Sequence, residues 1–412
     1  MTPPPGGTFL RITLPLAGLN FINQASRGIL ALLAPLLAVE FGLTASALGL
    51  LAAILFAAYA LAQLPVGLAL DLYGARRVQL VLGSVAATGF ALSALAEEPL
   101  LFALGRVLTG LGVSAGLMAM MKANVQWFPP QRVAGATGTG LFIAGAGGAV
   151  ATWPVQLLLP HVGWRGAFWL LMALTLAIVA WIAASVPRGA PGPAAPRRGL
   201  LAEAAEFGRI FAHPRFLRMV PMIAMLSALS FTYQGLWAGP WLRDVGGQAE
   251  AARATLLLIY AFGLMSGNLL AGQLASRAQA RGVGPILVPV LGTAGLMATQ
   301  IWLIAVPSGM LGQGIAWFLF AFFAAGGPSG YAAVGQGFPP ALAGRVATAV
   351  NFSMLVIVFL LQNGIGWVLD LWPRAAHGGW DSRGYGWALA VTLILQAGAA
   401  LWLLVGPRDR PA

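Results

Sequence analysis

The chain has 412 residues, of which 59% are hydrophobic and 8% are charged, and its mean hydropathy is +0.83. Soluble domains are about 45–50% apolar and about 25% charged, so the composition excludes a soluble globular protein. The chain has no cysteine, which excludes disulfides, thiol nucleophiles, iron–sulfur clusters and Cys-ligated zinc. The net charge of +12 would indicate nucleic acid in a soluble protein, but in a membrane protein it is read first as a topology signal.

Twelve apolar segments follow one another between charged residues, prolines and glycines. A membrane crossing takes about 20 apolar residues. The pattern therefore predicts an all-α integral membrane protein with twelve transmembrane helices. The segments are 11–39, 46–70, 78–96, 100–127, 133–158, 165–186, 215–242, 251–275, 285–306, 311–336, 345–371 and 383–405.

The arginines predict the orientation of these segments. With both termini in the cytoplasm, fifteen arginines fall on the inner side and five on the outer side. This bias is the one that the positive-inside rule describes. We expect a multi-pass protein of a bacterial-type inner (plasma) membrane, monomeric, with the lipid bilayer and a small-molecule substrate as partners and no nucleic acid.

The longest interruption divides the chain into two halves. It begins with a Pro/Gly/Ala-rich stretch and becomes amphipathic around Glu203 and Glu206, as in a linker followed by a surface helix. The predicted organisation is an N-terminal six-helix half at 1–186, a cytoplasmic linker with an amphipathic helix at 187–214, and a C-terminal six-helix half at 215–412.

Two short strings recur at nearly the same offset and indicate an internal duplication. Phe128-Pro129-Pro130 returns 210 residues later as Phe338-Pro339-Pro340, and Gly67 has a partner 205 residues later at Gly272. Parallel repeats related by an axis normal to the membrane place a substrate site between the halves near the midplane.

The loop between segments two and three carries a motif of the form GxxxDxxGxxR. Its matching residues are Gly67, Asp71, Gly74, Arg76 and Arg77. Segment four carries Arg106-Val107-Leu108-Thr109-Gly110-Leu111-Gly112, which is similar to an RxxxGxG pattern. With the twelve segments, these motifs resemble the major facilitator superfamily over essentially the whole chain. Leu72 and Ala75 depart from the family pattern, which often has basic residues there.

The resemblance implies a secondary transporter that works by alternating access between two pseudo-symmetric six-helix halves. It implies that Asp71 forms a cytoplasmic latch and that Arg106 takes part in gating or proton coupling. Ser276 replaces the acid in the second copy of the motif, so we expect an asymmetric latch. The alternative for Arg76 and Arg77 is a topology anchor.

Three cations lie inside predicted membrane helices, where a charge costs on the order of 2.5–3.5 kcal/mol. They are Arg27, Arg106 and Lys122. Asn20, Asn23 and Arg27 share one helical face, with Gln24 beside them. A polar stripe that ends in a guanidinium suits a carboxylate, sulfonate or phosphate. The alternative for Arg27 is a structural arginine tied to backbone carbonyls. Lys122 can snorkel to the inner surface and is grouped with the gating or coupling residues.

All eleven acids fall in loops or near helix ends, so no carboxylate occupies the bilayer centre. A cation exporter usually needs a buried acid. Segment five also has Gly145-Ala146-Gly147-Gly148 where the family's antiporters have a Gly-Pro pair. The sequence therefore favours an organic anion or a flat polar metabolite, with protons as the coupling ion.

The second half contributes neutral polar and aromatic candidates for substrate contacts. They are Tyr233, Gln234, Trp237, Asn351 and Asn363. Two glycines and a proline after Tyr233 predict a broken helix that exposes its backbone. For the aromatic residues, packing or an interfacial belt is the alternative.

Three other functions stay open at this stage. They are an exporter of amphipathic compounds or drugs, a copper(I) importer that uses methionines of segments four and seven, and a transporter-like receptor that no longer cycles. The sequence offers no nucleophile with a base, no P-loop and no paired buried acids, so we expect neither an enzyme nor a cofactor or metal site.

Overall fold

The structure is a computed structural model that describes residues 7–188, 200–339, 342–375 and 378–407, with side chains left out at a few helical positions. Within these ranges the chain forms helices and no strand. A π-helical turn at Phe9–Thr13 leads into α1, and a second at Tyr233–Trp237 joins α8 to α9. The helices are α1 Leu14–Glu40, α2 Ala45–Leu95, α3 Pro99–Val113, α4 Gly116–Trp127, α5 Pro130–Val150, α6 Trp153–Ser185, α7 Leu200–Ala212, α8 Pro214–Thr232, α9 Ala238–Asp244, α10 Glu250–Ala280, α11 Leu287–Ile304, α12 Gly309–Ala324, α13 Ser329–Gly335, α14 Ala343–Leu369 and α15 Ser382–Val405.

Eleven helical stretches in the described ranges are long and apolar enough to cross a membrane. α5 stands where the fifth apolar segment was predicted and brings the number of membrane helices to twelve. The prediction of an all-α membrane protein is confirmed. The fifth segment was predicted to end at residue 158, whereas α5 ends at Val150. Thr152 leaves helical geometry, with φ −107° and ψ −107°, and the next helix starts with a proline in its first turn.

α2 contains two membrane spans joined by a single turning residue rather than by a loop. Gly74 has φ 77° and ψ 163° inside an otherwise helical run. An L-residue pays for a positive φ, so glycine is the residue that makes this reversal at low cost. Gly282 has φ 76° at the turn between α10 and α11. The two turns lie 208 residues apart, an offset close to that of the sequence repeat.

The chain divides into two compact units. Unit 1 consists of Met1–Leu33 and Leu51–Arg197, and unit 2 of Ala34–Leu50 and Arg198–Ala412. The division differs from the predicted halves at 34–50, the tip between α1 and α2, which belongs to unit 2.

Glycines bring the helices of unit 1 into backbone contact. A Cβ on Gly147 of α5 would lie 2.1 Å from the carbonyl oxygen of Phe21 in α1. One on Gly110 of α3 would lie 2.3 Å from the carbonyl oxygen of Leu55. Membrane helices associate through this kind of small-residue packing, because lipid supplies no hydrophobic drive between them. The glycine-rich composition thus positions α1, the helix that carries Arg27.

α7, the amphipathic helix predicted after the linker, packs on unit 2. Glu206 of α7 forms an ion pair with Arg345 at the start of α14. The Pro/Gly/Ala-rich part of the linker, 189–199, lies outside the described residues.

Candidate substrate site and gating residues

Arg27 lies in the middle of α1 and is 6% exposed. Its guanidinium carbon is 4.7 Å from the ring centroid of Tyr59 and 5.4 Å from that of Phe56, both in α2. Aromatic faces attract a desolvated cation by about 2 kcal/mol without cancelling its charge. The sequence reasoning missed Phe56 and Tyr59, although their spacing of three residues in segment two places them on one helical face.

Asn20 and Asn23 of the polar stripe beside Arg27 are buried. The Asn23 amide nitrogen donates to the Asn20 side-chain oxygen at 3.3 Å. The Asn23 side-chain oxygen is buried and accepts no hydrogen bond from the described residues. A buried polar atom of this kind calls for a water or a ligand group. Gln24, one residue further on, is half-buried.

Arg106 fixes the backbone of α1 next to Arg27. It is 1% exposed, and its Nη1 donates to the carbonyl oxygen of Ser26 at 2.9 Å. Sequence reasoning assigned Arg106 to gating or coupling through the family motif. The structure adds that this arginine contacts the residue immediately before Arg27 and so links α3 to α1 beside the substrate candidate.

The remaining gating candidates lie around the turn at Gly74. Lys122 Nζ donates to the carbonyl oxygen of Leu70 at 2.8 Å. Arg76 Nη2 donates to the carbonyl oxygen of Ala183 in α6 at 2.7 Å, and Arg77 is exposed.

Gly67 stands in open space, with no neighbouring atom within 4 Å of an added Cβ. The side chain of Asp71, the predicted latch, lies outside the described residues. Arg76 thus connects the α2 turn to α6, and Lys122 connects it to α4.

In unit 2, the predicted break after Tyr233 is a π-helical turn. The helix continues through it, so the backbone stays hydrogen-bonded where an exposed break was predicted. Tyr233 is 1% exposed and contacts Trp317 and Phe320 with ring centroids 5.5 and 5.1 Å away. Trp237 is fully buried, and its indole nitrogen donates to the carbonyl oxygen of Gln362 at 3.2 Å. Both rings lie inside unit 2 against other side chains.

The amide candidates of unit 2 are more accessible than the aromatic ones. Gln234 and Asn351 are half-buried. Asn363 is buried, and its amide nitrogen donates to the carbonyl oxygen of Phe359 at 2.7 Å. Its side-chain oxygen is the atom left to accept from a ligand.

The internal repeat extends into the two helices that carry these candidates. Residues 21–30 and 231–240 show the same order of buried and half-buried positions, again at an offset of 210. Gln24 then corresponds to Gln234, and both are half-buried. Arg27 corresponds to Trp237. The sequence alone had shown the repeat only at the two Phe-Pro-Pro strings and at Gly67 and Gly272.

The tip between α1 and α2 is held by two side chains from the segment that follows α14. Asp370 accepts hydrogen bonds from the backbone nitrogens of Ala45 at 2.9 Å and Ser46 at 2.8 Å. Arg374 donates to the carbonyl oxygen of Leu43. We call these contacts the tip clasp. They tie residues 43–46 to unit 2, the unit to which 34–50 belongs. Sequence reasoning did not single out either residue.

Asp244 is the most buried carboxylate in the described part of unit 2, with a side chain that is 0% exposed. It accepts from Arg243 Nε at 2.5 Å, from the Trp380 backbone nitrogen at 3.0 Å and from Tyr385 Oη at 2.8 Å. These partners satisfy it as a structural group. Across the described ranges, no three His, Asp or Glu side chains converge in a metal-binding arrangement.

Residues 16–362 match the Major Facilitator Superfamily. Because the match covers most of the chain, the chain belongs to this family. It is therefore a multi-pass membrane protein of a transporter family.

Two relatives have names that state a substrate. The Cupriavidus necator protein called Probable sulfoacetate transporter SauU is 30% identical over 156 residues, 38% of this chain and 36% of that relative. Monocarboxylate transporter 11 of Homo sapiens is 34% identical over 203 residues, 48% of this chain and 43% of that relative. The chain thus aligns with less than half the length of either relative.

Solved transporters share the fold. A bacterial homologue of the human lysosomal transporter Spinster superposes with a TM-score of 0.76 at 17% identity, covering 96% of both chains. The nucleoside transporter NupG gives 0.78 at 13% identity, covering 95% of this chain and 99% of that one. At such identities the similarity concerns the fold alone.

Proposed function

We propose that this transporter takes up a small organic anion across the inner membrane and binds it through Arg27. The observation that supports this function is a guanidinium held in the middle of α1 on the ring faces of Phe56 and Tyr59. A planar, permanently charged group with this setting suits a carboxylate or sulfonate. The names of the two relatives, sulfoacetate and monocarboxylate transporters, agree with this substrate class.

The polar groups around Arg27 suit the rest of a small polar anion. Asn20, Asn23 and Gln24 lie next to it, and the buried Asn23 oxygen needs a donor. A substrate hydroxyl, or a water bound with the substrate, supplies one. Arg106 acts as a positioning residue that holds the α1 backbone at Ser26.

In unit 2, Gln234, Asn351 and Asn363 are the proposed neutral contacts to substrate. Tyr233 and Trp237 support them from inside the unit, because their rings hold the π-helical turn that contains Gln234. This gives the two aromatic residues a positioning role instead of the stacking role suggested by the sequence.

Transport is proposed to follow alternating access with protons as the coupling ion. A proton travels on the substrate or on a peripheral acid, since the sequence places no acid at the bilayer centre. The motif of Gly67, Asp71, Gly74, Arg76 and Arg77 provides the cytoplasmic latch. Both termini lie in the cytoplasm, and the transporter works as a monomer.

The test is ligand binding and uptake with Arg27→Gln and a matched control. Arg165→Gln removes another arginine of unit 1 that lies over an aromatic ring, 4.2 Å from Trp164. A ligand at 100 times its Kd adds about 2.7 kcal/mol of stability. We expect sulfonates or carboxylates to stabilise the wild type and the Arg165 variant but not the Arg27 variant. Uptake of the stabilising anion into proteoliposomes, with the internal pH recorded, then measures direction and proton coupling.

Export of amphipathic compounds is the second candidate function. It is favoured by the same contacts, because Phe56 and Tyr59 cover part of the Arg27 guanidinium. If amphipathic cations or neutral compounds stabilise the wild type and the Arg27 variant equally, Arg27 is structural and export replaces anion uptake. Stabilisation by copper(I) alone indicates the copper importer. Binding without any uptake indicates a receptor.

A further inference from the structure

A groove runs along unit 1 where the two limbs of α2 separate from the turn at Gly74. Its volume is about 690 Å³, within the range of about 300–1,000 Å³ that is typical of ligand sites. Leu61 and Pro65 lie on the first limb, and Val81 and Val85 on the second. All of its lining side chains are apolar except two at one end, Tyr73 and Arg77.

The groove is open toward the surroundings of the protein at the depth of the membrane. Leu61 is 74% exposed and Val81 is 64% exposed. Leu61 belongs to Ala45–Gln63, and Val81 and Val85 belong to Leu72–Leu95, two stretches that are long and apolar enough to cross the membrane. Apolar walls at this depth are matched by hydrocarbon rather than by water.

The length of the groove corresponds to one leaflet. From Tyr73 back to Leu61 the helix rises about 18 Å, and from Arg77 forward to Val85 about 12 Å, at 1.5 Å per residue. Half of a hydrocarbon core about 30 Å thick is about 15 Å. A single acyl chain that enters beside the Gly74 turn therefore reaches the bilayer midplane at the end of the groove.

Charge at the polar end favours an anionic head group. Arg76 is engaged with the carbonyl oxygen of Ala183, whereas the exposed Arg77 lines the groove. A guanidinium pairs with phosphate through two parallel hydrogen bonds. In the predicted orientation this end of the groove faces the cytoplasm. Arg76 and Arg77 are then among the positive residues that collect at the inner membrane surface.

We propose that this groove binds an anionic phospholipid of the inner leaflet, with one acyl chain between the limbs of α2 and the phosphate on Arg77. The site is distinct from the substrate candidates around Arg27. It connects the lipid bilayer to the motif that contains Gly74 and Arg77.

The experiment is native mass spectrometry of the full-length protein with phosphatidylglycerol and phosphatidylcholine of identical acyl chains. Arg77→Gln is compared with Arg281→Gln, which removes an exposed arginine at the corresponding turn after α10. One interfacial cation contributes about fivefold in affinity. We expect Arg77→Gln to lower the retention of phosphatidylglycerol about fivefold and to leave the retention of phosphatidylcholine unchanged. Arg281→Gln should leave the retention of both lipids unchanged.

A groove-filling variant tests the acyl chain separately. Ala69→Phe places a ring between the limbs, and Val81→Phe does so from the other wall. We expect both to reduce the retention of phosphatidylglycerol and phosphatidylcholine together. Equal losses of phosphatidylglycerol retention in the Arg77 and Arg281 variants would show a general charge effect and overturn the proposed lipid site. Competition by inorganic phosphate would show an anion site without a lipid. Filled variants that retain lipid but lose transport would show that another helix of this chain occupies the groove.

Discussion

Removal of the Asp370 carboxylate is predicted to release the tip between α1 and α2. The carboxylate accepts from the backbone nitrogens of Ala45 and Ser46 in the first turn of α2. These amides have no partner within the helix, since the first four N–H groups of a helix never do. Asp370 directly follows α14, so a residue 325 positions away in sequence caps this helix.

The free-energy cost of removing the Asp370 carboxylate follows from this geometry. Loss of a side-chain cap costs typically about 1 kcal/mol, with a range of about 0.5–2. Loss of a negative charge at a helix N-terminus costs about 0.3–1 kcal/mol more at an exposed position, and Asp370 is exposed. The total of about 1–2 kcal/mol corresponds to a 5- to 30-fold change in the opening equilibrium of the tip.

Amide hydrogen exchange at residue resolution measures this change directly. In Asp370→Ala the amides of Ala45 and Ser46 are expected to exchange about 5- to 30-fold faster, and in Asp370→Asn by a smaller factor, because the Asn amide keeps one acceptor oxygen. The amide of Ala47 serves as an internal reference, since it donates to Thr44 Oγ1 instead.

Asp381→Ala is the matched control. It removes an acid that caps the N-terminus of α15 in the same unit, so it should leave the exchange of the Ala45 and Ser46 amides unchanged. Unchanged exchange in Asp370→Ala, or equal acceleration in both alanine variants, would refute the capping argument.

Three further predictions follow from glycines and from a second helix cap. Gly147→Ala is expected to lower the unfolding free energy by about 1–3 kcal/mol, because its Cβ meets the α1 backbone at 2.1 Å; Gly138→Ala in the same helix has open space and should change the thermal midpoint little. Gly74→Ala should cost about 1–2 kcal/mol through its positive φ, and Gly67→Ala, without such strain, should raise or preserve stability. A hydrogen bond from the neighbouring arginine side chain lowers the pKa of Asp381 below its ordinary 3.8. The Asp381 cap therefore stabilises α15 above that value, and this stabilisation is lost as the pH falls through the lowered pKa. Asp381→Asn should be less stable than wild type near neutral pH and equally stable in acid, and a stability difference that does not change with pH would contradict this.

Most of the fold could be predicted from the sequence because membrane insertion imposes strong patterns of apolar and charged residues. Apolar length predicted the helices, and the Gly67–Arg77 motif together with them predicted the family; the structure and the family match confirm these two predictions. The orientation predicted from the arginines stays a prediction. Helix ends were less accessible to sequence reasoning. The end of α5 at Val150 depends on one non-helical residue, Thr152, which lies inside an apolar run and gives no strong local signal.

The candidate site was predicted in part, because side-chain partners come from distant parts of the chain. The intramembrane charge marked Arg27, but Phe56 and Tyr59 looked like ordinary apolar residues. Asp370 lay at a helix end, where an acid is unremarkable. Its role depends on the N-terminus of a helix 325 residues away, and no local pattern reports such a pairing.

The internal repeat places a charged residue in unit 1 and an uncharged residue in unit 2 at corresponding positions. At corresponding positions, unit 1 has Arg27 and unit 2 has Trp237, whereas Gln24 and Gln234 have kept the same residue and the same half-buried state. Trp237 is fully buried and bonded to the Gln362 carbonyl, so this position in unit 2 carries no charge. In the proposed function, a single cation, Arg27, fixes one anionic group of the substrate, and the neutral amides of unit 2 discriminate by hydrogen bonds. Such an arrangement favours substrates with one strongly anionic end and a polar remainder, since a second buried anionic group would need a cation that the corresponding position of unit 2 does not provide.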